Sequence, residues 1–246
     1  MNKDRNILIT GSSKGIGAAI AEVLAIEGYN VILTGRNEEK LKQTQAKTGA
    51  KDYFVFDSAT EGACEELISA IAKKYGWIDV LVNNAGDYIY SPVENTTDEQ
   101  IQGLLKLNIE IPYKLIKLSV PFMKSNNWGR IINIGSISGS VGEANASLYS
   151  MTKSALLGLT KSLALELASD GITVNTINPG WVETELTQKA CEDGDFSLCE
   201  NLEMIPQKRF IKPVEVGALA KYLVSEEAKG LTGQCINLCA GLSTGY

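Results

Sequence analysis

Short runs of β-branched and apolar residues alternate along this chain with longer amphipathic stretches, and this alternation restricts the fold more than any other feature. The runs fall at 7–10, 31–34, 53–56, 80–83, 130–134, 173–177 and 234–238. Most are apolar throughout, not at every second residue, which is the pattern of strands covered on both faces. The intervening stretches predict helices over 16–27, 38–47, 63–75, 98–123, 148–168 and 213–225. Strands alternating with helices imply a parallel sheet joined by crossover helices. The expectation is an α/β, doubly wound parallel sheet of about seven strands with helices on both faces. No repeat, linker or low-complexity stretch interrupts the pattern, so residues 1–246 are expected to form one domain. Only 183–212 breaks the rhythm. It is polar, lacks a clear period and follows the sixth strand, where ligands bind in open α/β sheets, so it is expected to be a substrate-binding loop.

Charge and cysteine content narrow the function classes. A net charge of −6, with no basic run, argues against a nucleic-acid partner. No run reaches the roughly 18 apolar residues of a membrane span, and the apolar stretch at 7–9 is too short for a signal peptide. A cytoplasmic location is expected, with no membrane partner. The five cysteines, Cys64, Cys191, Cys199, Cys235 and Cys239, form no CxxC, and the chain has no histidine, so no metal site is expected. Cys235 and Cys239 lie about 13 Å apart along a strand, too far for a disulfide, so reduced thiols are expected.

The first strand leads into Thr10-Gly11-Ser12-Ser13-Lys14-Gly15-Ile16-Gly17 and then a helix. Glycines allow the backbone to turn tightly and approach a pyrophosphate, and the helix N-terminus offers it free N–H groups. The spacing G-x-x-x-G-x-G differs from the common G-x-G-x-x-G fingerprint, and the order of Lys14 and Gly15 excludes a Walker A loop. A plain structural turn competes with this reading. Position at the first strand–helix junction of an alternating chain favours a dinucleotide. The second strand ends at Thr34-Gly35-Arg36, where NAD sites place a carboxylate and NADP sites a cation. Arg36 and Lys14 therefore favour NADP(H) over NAD(H).

With no imidazole, acid–base chemistry falls to other groups. A tyrosine and a lysine at i and i+4 share one helix face, and the ammonium favours the tyrosinate. Two such pairs occur, Tyr149/Lys153 and Tyr113/Lys117. Chance alone gives roughly one in a chain of this composition, so spacing does not choose between them.

The ordered set of Thr10 to Gly17, Asn83-Asn84-Ala85-Gly86, Asn108, Ser136, Tyr149/Lys153 and Pro179-Gly180 resembles the short-chain dehydrogenase/reductase family, with its Rossmann-type fold. The likeness covers effectively the whole chain. It is greatest to 3-oxoacyl-acyl-carrier-protein reductases and polyketide ketoreductases. The family's serine lies thirteen residues before its tyrosine. Ser136 stands there relative to Tyr149, whereas Gln100 stands there relative to Tyr113. The resemblance thus makes Tyr149 the acid–base, and Tyr113 a packing residue. It implies that Ser136 polarises a carbonyl and Tyr149 protonates its oxygen. Lys153 would hold the nicotinamide ribose and lower the Tyr149 pKa, and Asn108 would hold a relay water. Ser138 is a rival to Ser136.

Cofactor contacts implied by the same resemblance are Gly11, Ser13, Lys14, Gly15, Ile16, Gly17, Arg36, Asp57, Asn84, Ala85, Gly86, Tyr149, Lys153, Pro179, Gly180, Val182 and Thr184. Asp57 would bond the adenine amino group or else cap the next helix. Val182 and Thr184 would meet the carboxamide. The expected reaction is NADPH-dependent reduction of a ketone, foremost a 3-oxoacyl thioester on acyl carrier protein or coenzyme A, in a homotetramer. Lys208, Arg209 and Lys212 are candidates for meeting an acyl carrier protein or a coenzyme A phosphate, or are simply solvated. An NAD-dependent alcohol or sugar dehydrogenase is the alternative. A non-catalytic NADP-binding sensor is a further one. Enoyl reduction fits less well, because such relatives separate tyrosine and lysine by more than four residues.

Overall fold

In the computed structural model, which describes residues 4–184 and 202–244, seven strands form one sheet in the order β3-β2-β1-β4-β5-β6-β7. They are β1 (Asn6–Ile9), β2 (Asn30–Gly35), β3 (Asp52–Val55), β4 (Val80–Asn83), β5 (Gly129–Ile134), β6 (Ile172–Pro179) and β7 (Cys235–Leu238). Every pairing is parallel. The helices are α1 (Gly15–Ile26), α2 (Glu38–Thr48), α3 (Ala63–Tyr75), α4 (Asp98–Leu105), α5 (Ile111–Ser125), α6 (Ser138–Val141), α7 (Ser147–Leu167) and α8 (Pro213–Val224). The doubly wound sheet expected from the alternation is the observed one.

Side-chain alternation on the strands feeds two cores. Ile7 and Ile9 of β1 pack with Ile20 and Leu24 of α1 and Val216 and Leu223 of α8. Leu8, between them, faces Leu67 and Ile71 of α3 and Leu115 of α5. Each such side chain is withdrawn from water, worth roughly 1.5–3 kcal/mol in transfer terms. The middle strands are therefore fixed in register from both sides.

The helix expected over 98–123 is not continuous. Residues Lys106–Glu110 form a π turn between α4 and α5, closed by the Ile111 N–H donating to the Lys106 carbonyl. Asn108 lies within it, buried. Wide turns of this kind recur at functional sites, where they re-aim a side chain.

A buried polar ladder crosses the sheet beneath the strand ends. Asn83 Nδ2 donates to Asn133 Oδ1 (2.9 Å), and Asn133 Nδ2 donates to Thr160 Oγ1 (3.0 Å). The hydroxyls of Thr160 and Thr176 lie 2.6 Å apart. Asn83, Asn133 and Thr176 are aligned on neighbouring strands, and Thr160 belongs to α7. Breaking one such buried bond costs about 1–3 kcal/mol, so the ladder pins α7 to the sheet.

Candidate active site

The strand order reverses between β1 and β4, which opens a crevice at the carboxyl edge of the sheet. Segments following β1, β4, β5 and β6 meet there, and they carry most of the residues singled out in the sequence.

The segment after β1 is a glycine cradle. A Cβ on Gly11, whose φ is +61°, would lie 2.8 Å from the Ala85 Cα, and one on Gly17 would lie 2.5 Å from Asn84 Nδ2. Asn84 Nδ2 donates to the carbonyls of Thr10 (2.8 Å) and Gly11 (3.0 Å). Thr10 Oγ1 in turn accepts from the Asn84 and Ala85 amides. The loop after β4 is thus buttoned to the loop after β1. Ser12, fully buried, donates to the Ile9 carbonyl and accepts from the Thr34 amide. Ser13 accepts a bond from Thr44 at its carbonyl and lies against Gly35 at the end of β2. Ile16 packs on the core.

The start of α1 carries no side-chain cap and no acidic residue in its first turn. Its amides therefore present uncompensated positive potential. Lys14 and Arg36 are exposed, and among the described residues neither has an ion-pair partner. A tight cradle, an uncapped helix start and two available cations fit a dinucleotide with an additional phosphate. Asp57 is exposed two residues beyond β3. Its carboxylate accepts from the Ala59 amide (3.0 Å), a local turn that does not cap α3, whose N-cap is Gly62.

Beyond β6, Gly180 donates to the Leu238 carbonyl, and Val182 bridges to Ile211. Val182 is buried in the core. The methyl of Thr184 comes within 3.9 Å of a Cβ placed on Gly15, so the described end of this segment adjoins the glycine cradle.

The acid–base candidates converge from two neighbouring parts of the chain. Ser136 follows β5, and Tyr149 and Lys153 stand one turn apart on α7. Close contact between α6 and α7 holds them together. Ser154 Oγ donates to the Gly139 carbonyl, and a Cβ at Gly139 would lie 2.7 Å from the Lys153 carbonyl carbon. The Ser136 hydroxyl stands near enough to the Tyr149 phenol to influence its ionisation. Lys153 Nζ donates to the Ile134 carbonyl (2.9 Å) and lies 5.5 Å from the Tyr149 ring centre. A Cβ on Gly86 would sit 3.2 Å from Asn108 Oδ1 and 3.5 Å from Lys153 Nζ, so these three positions adjoin one small space. Asn108 is held by Asp87 in both directions, through its Oδ1 and its Nδ2, and also donates to Thr152 Oγ1 (3.0 Å). Thr152 Oγ1 donates to the Tyr149 carbonyl (2.8 Å).

The electrostatics run opposite to the sequence expectation. Burial pushes the Tyr149 phenol up to about 12; the Ser136 hydroxyl opposes this and the Glu143 charge adds to it. Burial brings the Lys153 ammonium down to about 8. Both shifts follow from taking a charge out of water. With Lys153 directed at the Ile134 carbonyl, its pull does not overcome that penalty. At neutral pH the site holds a protonated phenol beside a hydroxyl, with a lysine near its own titration point. Such a pair is arranged to give a proton to an oxygen.

The rival positions are also accounted for. Tyr113 is not packed: it is 55% exposed and lines a groove of ≈ 530 Å³ between α5 and α7 with Lys117, Ala155 and Leu159. Ser138 is bonded within the loop, donating to Glu143 Oε2 (2.8 Å) with its amide donating to Ser136 Oγ (3.1 Å). Lys208 pairs with Glu203 (3.1 Å), and Arg209 with both oxygens of Glu215 (2.7 and 2.9 Å). Most of 183–212 lies outside the described residues, as do Cys191 and Cys199. The described end of that stretch is anchored by buried Ile205 and Ile211. Cys64, Cys235 and Cys239 are free thiols. Among the described residues no helix is long and apolar enough to cross a membrane.

Five residues of the site escaped the sequence reading: Ser12, Tyr88, Thr152 and Glu143 by omission, and Thr10 as a buttress. Tyr88 packs edge-on against Tyr149, with ring centres 4.9 Å apart. Tyr88 and Glu143 sit in loops without periodic pattern. Thr152, at i+3 from Tyr149, was the one that helical spacing could have revealed.

Comparisons with known proteins agree with this architecture. A family model described as Enoyl-(Acyl carrier protein) reductase matches residues 11–243. The chain is 34% identical to a 3-oxoacyl-acyl-carrier-protein reductase of Escherichia coli, over 96% of each chain. It is 35% identical to a D-beta-hydroxybutyrate dehydrogenase of Cupriavidus necator, over 98% of each. The crystal structure of a single-substitution variant of the actinorhodin polyketide ketoreductase with NADPH superposes with a TM-score of 0.92 at 33% identity, covering 98% of both chains. The chain belongs to the short-chain dehydrogenase/reductase family and is an NAD(P)H-dependent oxidoreductase acting on a carbonyl substrate.

Proposed function

We propose that the protein is an NADPH-dependent ketoreductase whose substrate is a 3-oxoacyl thioester on acyl carrier protein or coenzyme A. The observation that carries this reading is the convergence of Ser136 after β5 with Tyr149 and buried Lys153 on α7, beside the glycine cradle and its two exposed cations, Lys14 and Arg36. NADPH, when bound, supplies the hydride. Gly11, Ser13, Lys14, Gly15, Ile16 and Gly17 would hold its pyrophosphate, with Lys14 and Arg36 at the additional phosphate. Asp57 would stand at the adenine. Asn84, Ala85 and Gly86 would line the crevice, with Pro179, Gly180, Val182 and Thr184 at the carboxamide.

Ser136 orients the carbonyl oxygen by a hydrogen bond. Tyr149 donates its proton to that oxygen, and Lys153, titrating close to neutral pH, restores it. Asn108 fixes Asp87 and Thr152 around the lysine, and its remaining Oδ1 lone pair is available to a relay water. A phenol protonated at neutral pH suits proton donation to the carbonyl oxygen in reduction. Exposed Tyr113, Met151 and Leu165 on α5 and α7 support assembly through these helices, in keeping with a homotetramer.

The test is NADPH consumption with acetoacetyl-coenzyme A and a panel of simple ketones and alcohols. The expected result is thioester reduction with NADPH bound about tenfold or more tightly than NADH, and an Arg36→Ala variant that loses most of that preference. Turnover confined to NAD-driven alcohol oxidation would overturn the reading.

A further inference from the structure

Glu143 lies between α6 and α7, outside the set of residues with assigned roles, yet its carboxylate is bonded to a neighbour of Tyr149 and to a neighbour of Ser136. Its Oε1 accepts from the Tyr88 hydroxyl (2.7 Å), and Tyr88 stands edge-on against Tyr149. Its Oε2 accepts from Ser138 Oγ (2.8 Å), which lies 3.1 Å from Ser136 Oγ. One side chain separates the carboxylate from each member of the pair. Among the described residues no lysine or arginine forms an ion pair with it. Both these donors are neutral hydroxyls. Burial holds the Tyr88 phenol well above its ordinary range, the Glu143 bond and charge adding to the effect, so Tyr88 does not ionise and repel it. The exposed carboxylate of Asp87 adjoins Tyr88 and adds charge of the same sign. Among the described residues Lys153 is the cation of the cluster, and it is buried behind the Tyr149 ring.

We propose that Glu143 is a substrate-selectivity residue whose fixed negative charge, beside Tyr149 and Ser136, admits carbonyl compounds that are uncharged next to the ketone and turns away those bearing a carboxylate. The proposal rests on the ketoreductase reading and sharpens its substrate class: esters and thioesters of 3-oxo acids are accepted, and the free acids are rejected. A carboxylate brought within several ångströms of another in a partly desolvated cleft loses about tenfold or more in binding.

The test compares kcat/KM for methyl acetoacetate and acetoacetate, with NADPH, in the native chain and in Glu143→Gln. The native enzyme is expected to prefer the ester about tenfold or more. Glu143→Gln is expected to reduce that ratio about tenfold, chiefly through a lower KM for acetoacetate. Added salt should narrow the ratio in the native enzyme and leave the variant's ratio alone. Tyr88→Phe, which removes one hydrogen bond and keeps the charge, should retain the preference. An unchanged ratio in an active Glu143→Gln enzyme would overturn the proposal while leaving the ketoreductase reading intact. If that variant does not fold, a native ratio insensitive to salt overturns it. An enzyme that reduces neither compound, nor acetoacetyl-coenzyme A, would overturn the ketoreductase reading and this proposal with it; one that reduces acetoacetyl-coenzyme A but not methyl acetoacetate would overturn this proposal alone.

Discussion

Tyr149/Lys153 on α7 and Tyr113/Lys117 on α5 share a residue spacing, a helical setting and two neighbouring helices, yet their surroundings differ throughout. Tyr149 meets Ser136, Tyr88 and the field of Glu143, and burial pushes its phenol up to about 12. Tyr113 stands more than half exposed at a groove. Lys153 is 6% exposed and brought down to about 8, whereas Lys117 lies open to solvent. Thirteen residues upstream of one tyrosine is a serine beside its hydroxyl. Thirteen upstream of the other is Gln100, whose side chain and amide close a capping box with Thr97 at the start of α4. Spacing brings two side chains to one face, and the chemistry then comes from what encloses them.

The largest effect should separate the two tyrosines. Tyr149→Phe is expected to lower kcat by about 10³-fold, within the span of general acid catalysis, while Tyr113→Phe stays within about twofold. Steady-state NADPH oxidation checks both, and a comparable loss in the two variants would break the contrast. Removing the upstream partners should follow the same division. Ser136→Ala should lower kcat/KM by about 10²-fold, read with the same assay. Gln100→Ala should leave kinetics alone and lower stability by about 0.5–1 kcal/mol, read from urea unfolding.

The lysines differ in the opposite sense for stability. A buried ammonium held at about 8 against an ordinary 10.5 carries a penalty of roughly 3 kcal/mol below pH 8. Lys153→Met should therefore abolish turnover yet raise stability by about 1–3 kcal/mol, whereas Lys117→Met should change neither. Thermal unfolding measures this. A less stable Lys153→Met would show that its bond to Ile134 outweighs the burial.

The smallest predicted effect is a pH slope. Between about pH 8 and 10 the unfolded chain keeps the Lys153 proton and the folded chain loses it, so native stability should rise with pH. Above about pH 10 the raised Tyr149 pKa acts the other way, since the unfolded tyrosine ionises first, and stability should fall. The difference between native and Lys153→Met unfolding curves isolates the first limb, and its absence would contradict the burial of that charge.

The five inner strands, buried on both faces, announce themselves as apolar runs rich in β-branched residues, and the partly exposed edge strands β3 and β7 still keep short apolar runs, so all seven were legible to within a residue or two. Helix ends at α2 and α3 were legible from their amphipathic periods. The break at Lys106–Glu110 was not, because a wide turn changes winding without changing residue type. The direction of the Tyr149 and Lys153 shifts was hidden for a different reason. Sequence shows that an ammonium is near a phenol but not how far both are withdrawn from water, and here burial wins. Glu143 and Tyr88 come together only through loop geometry, from positions 55 residues apart.

The π turn invites a description in residue counts. Closing through Ile111 N–H to the Lys106 carbonyl, it fits one more residue into the turn than an α-helix would. Viewed as a reading frame, the helix from α4 to α5 carries a one-residue insertion. Deleting a single residue there would restore even winding. The flanking helices would keep their facing, because the wide turn already absorbs the extra residue, and only the side chains within the turn would be re-aimed. Asn108 would lose its hold on Asp87 and Thr152, although every neighbouring side chain kept its identity. The segment thus tolerates substitution by similar residues far better than a change of length, and a relative shorter by one residue at this point should be expected to build its proton route differently.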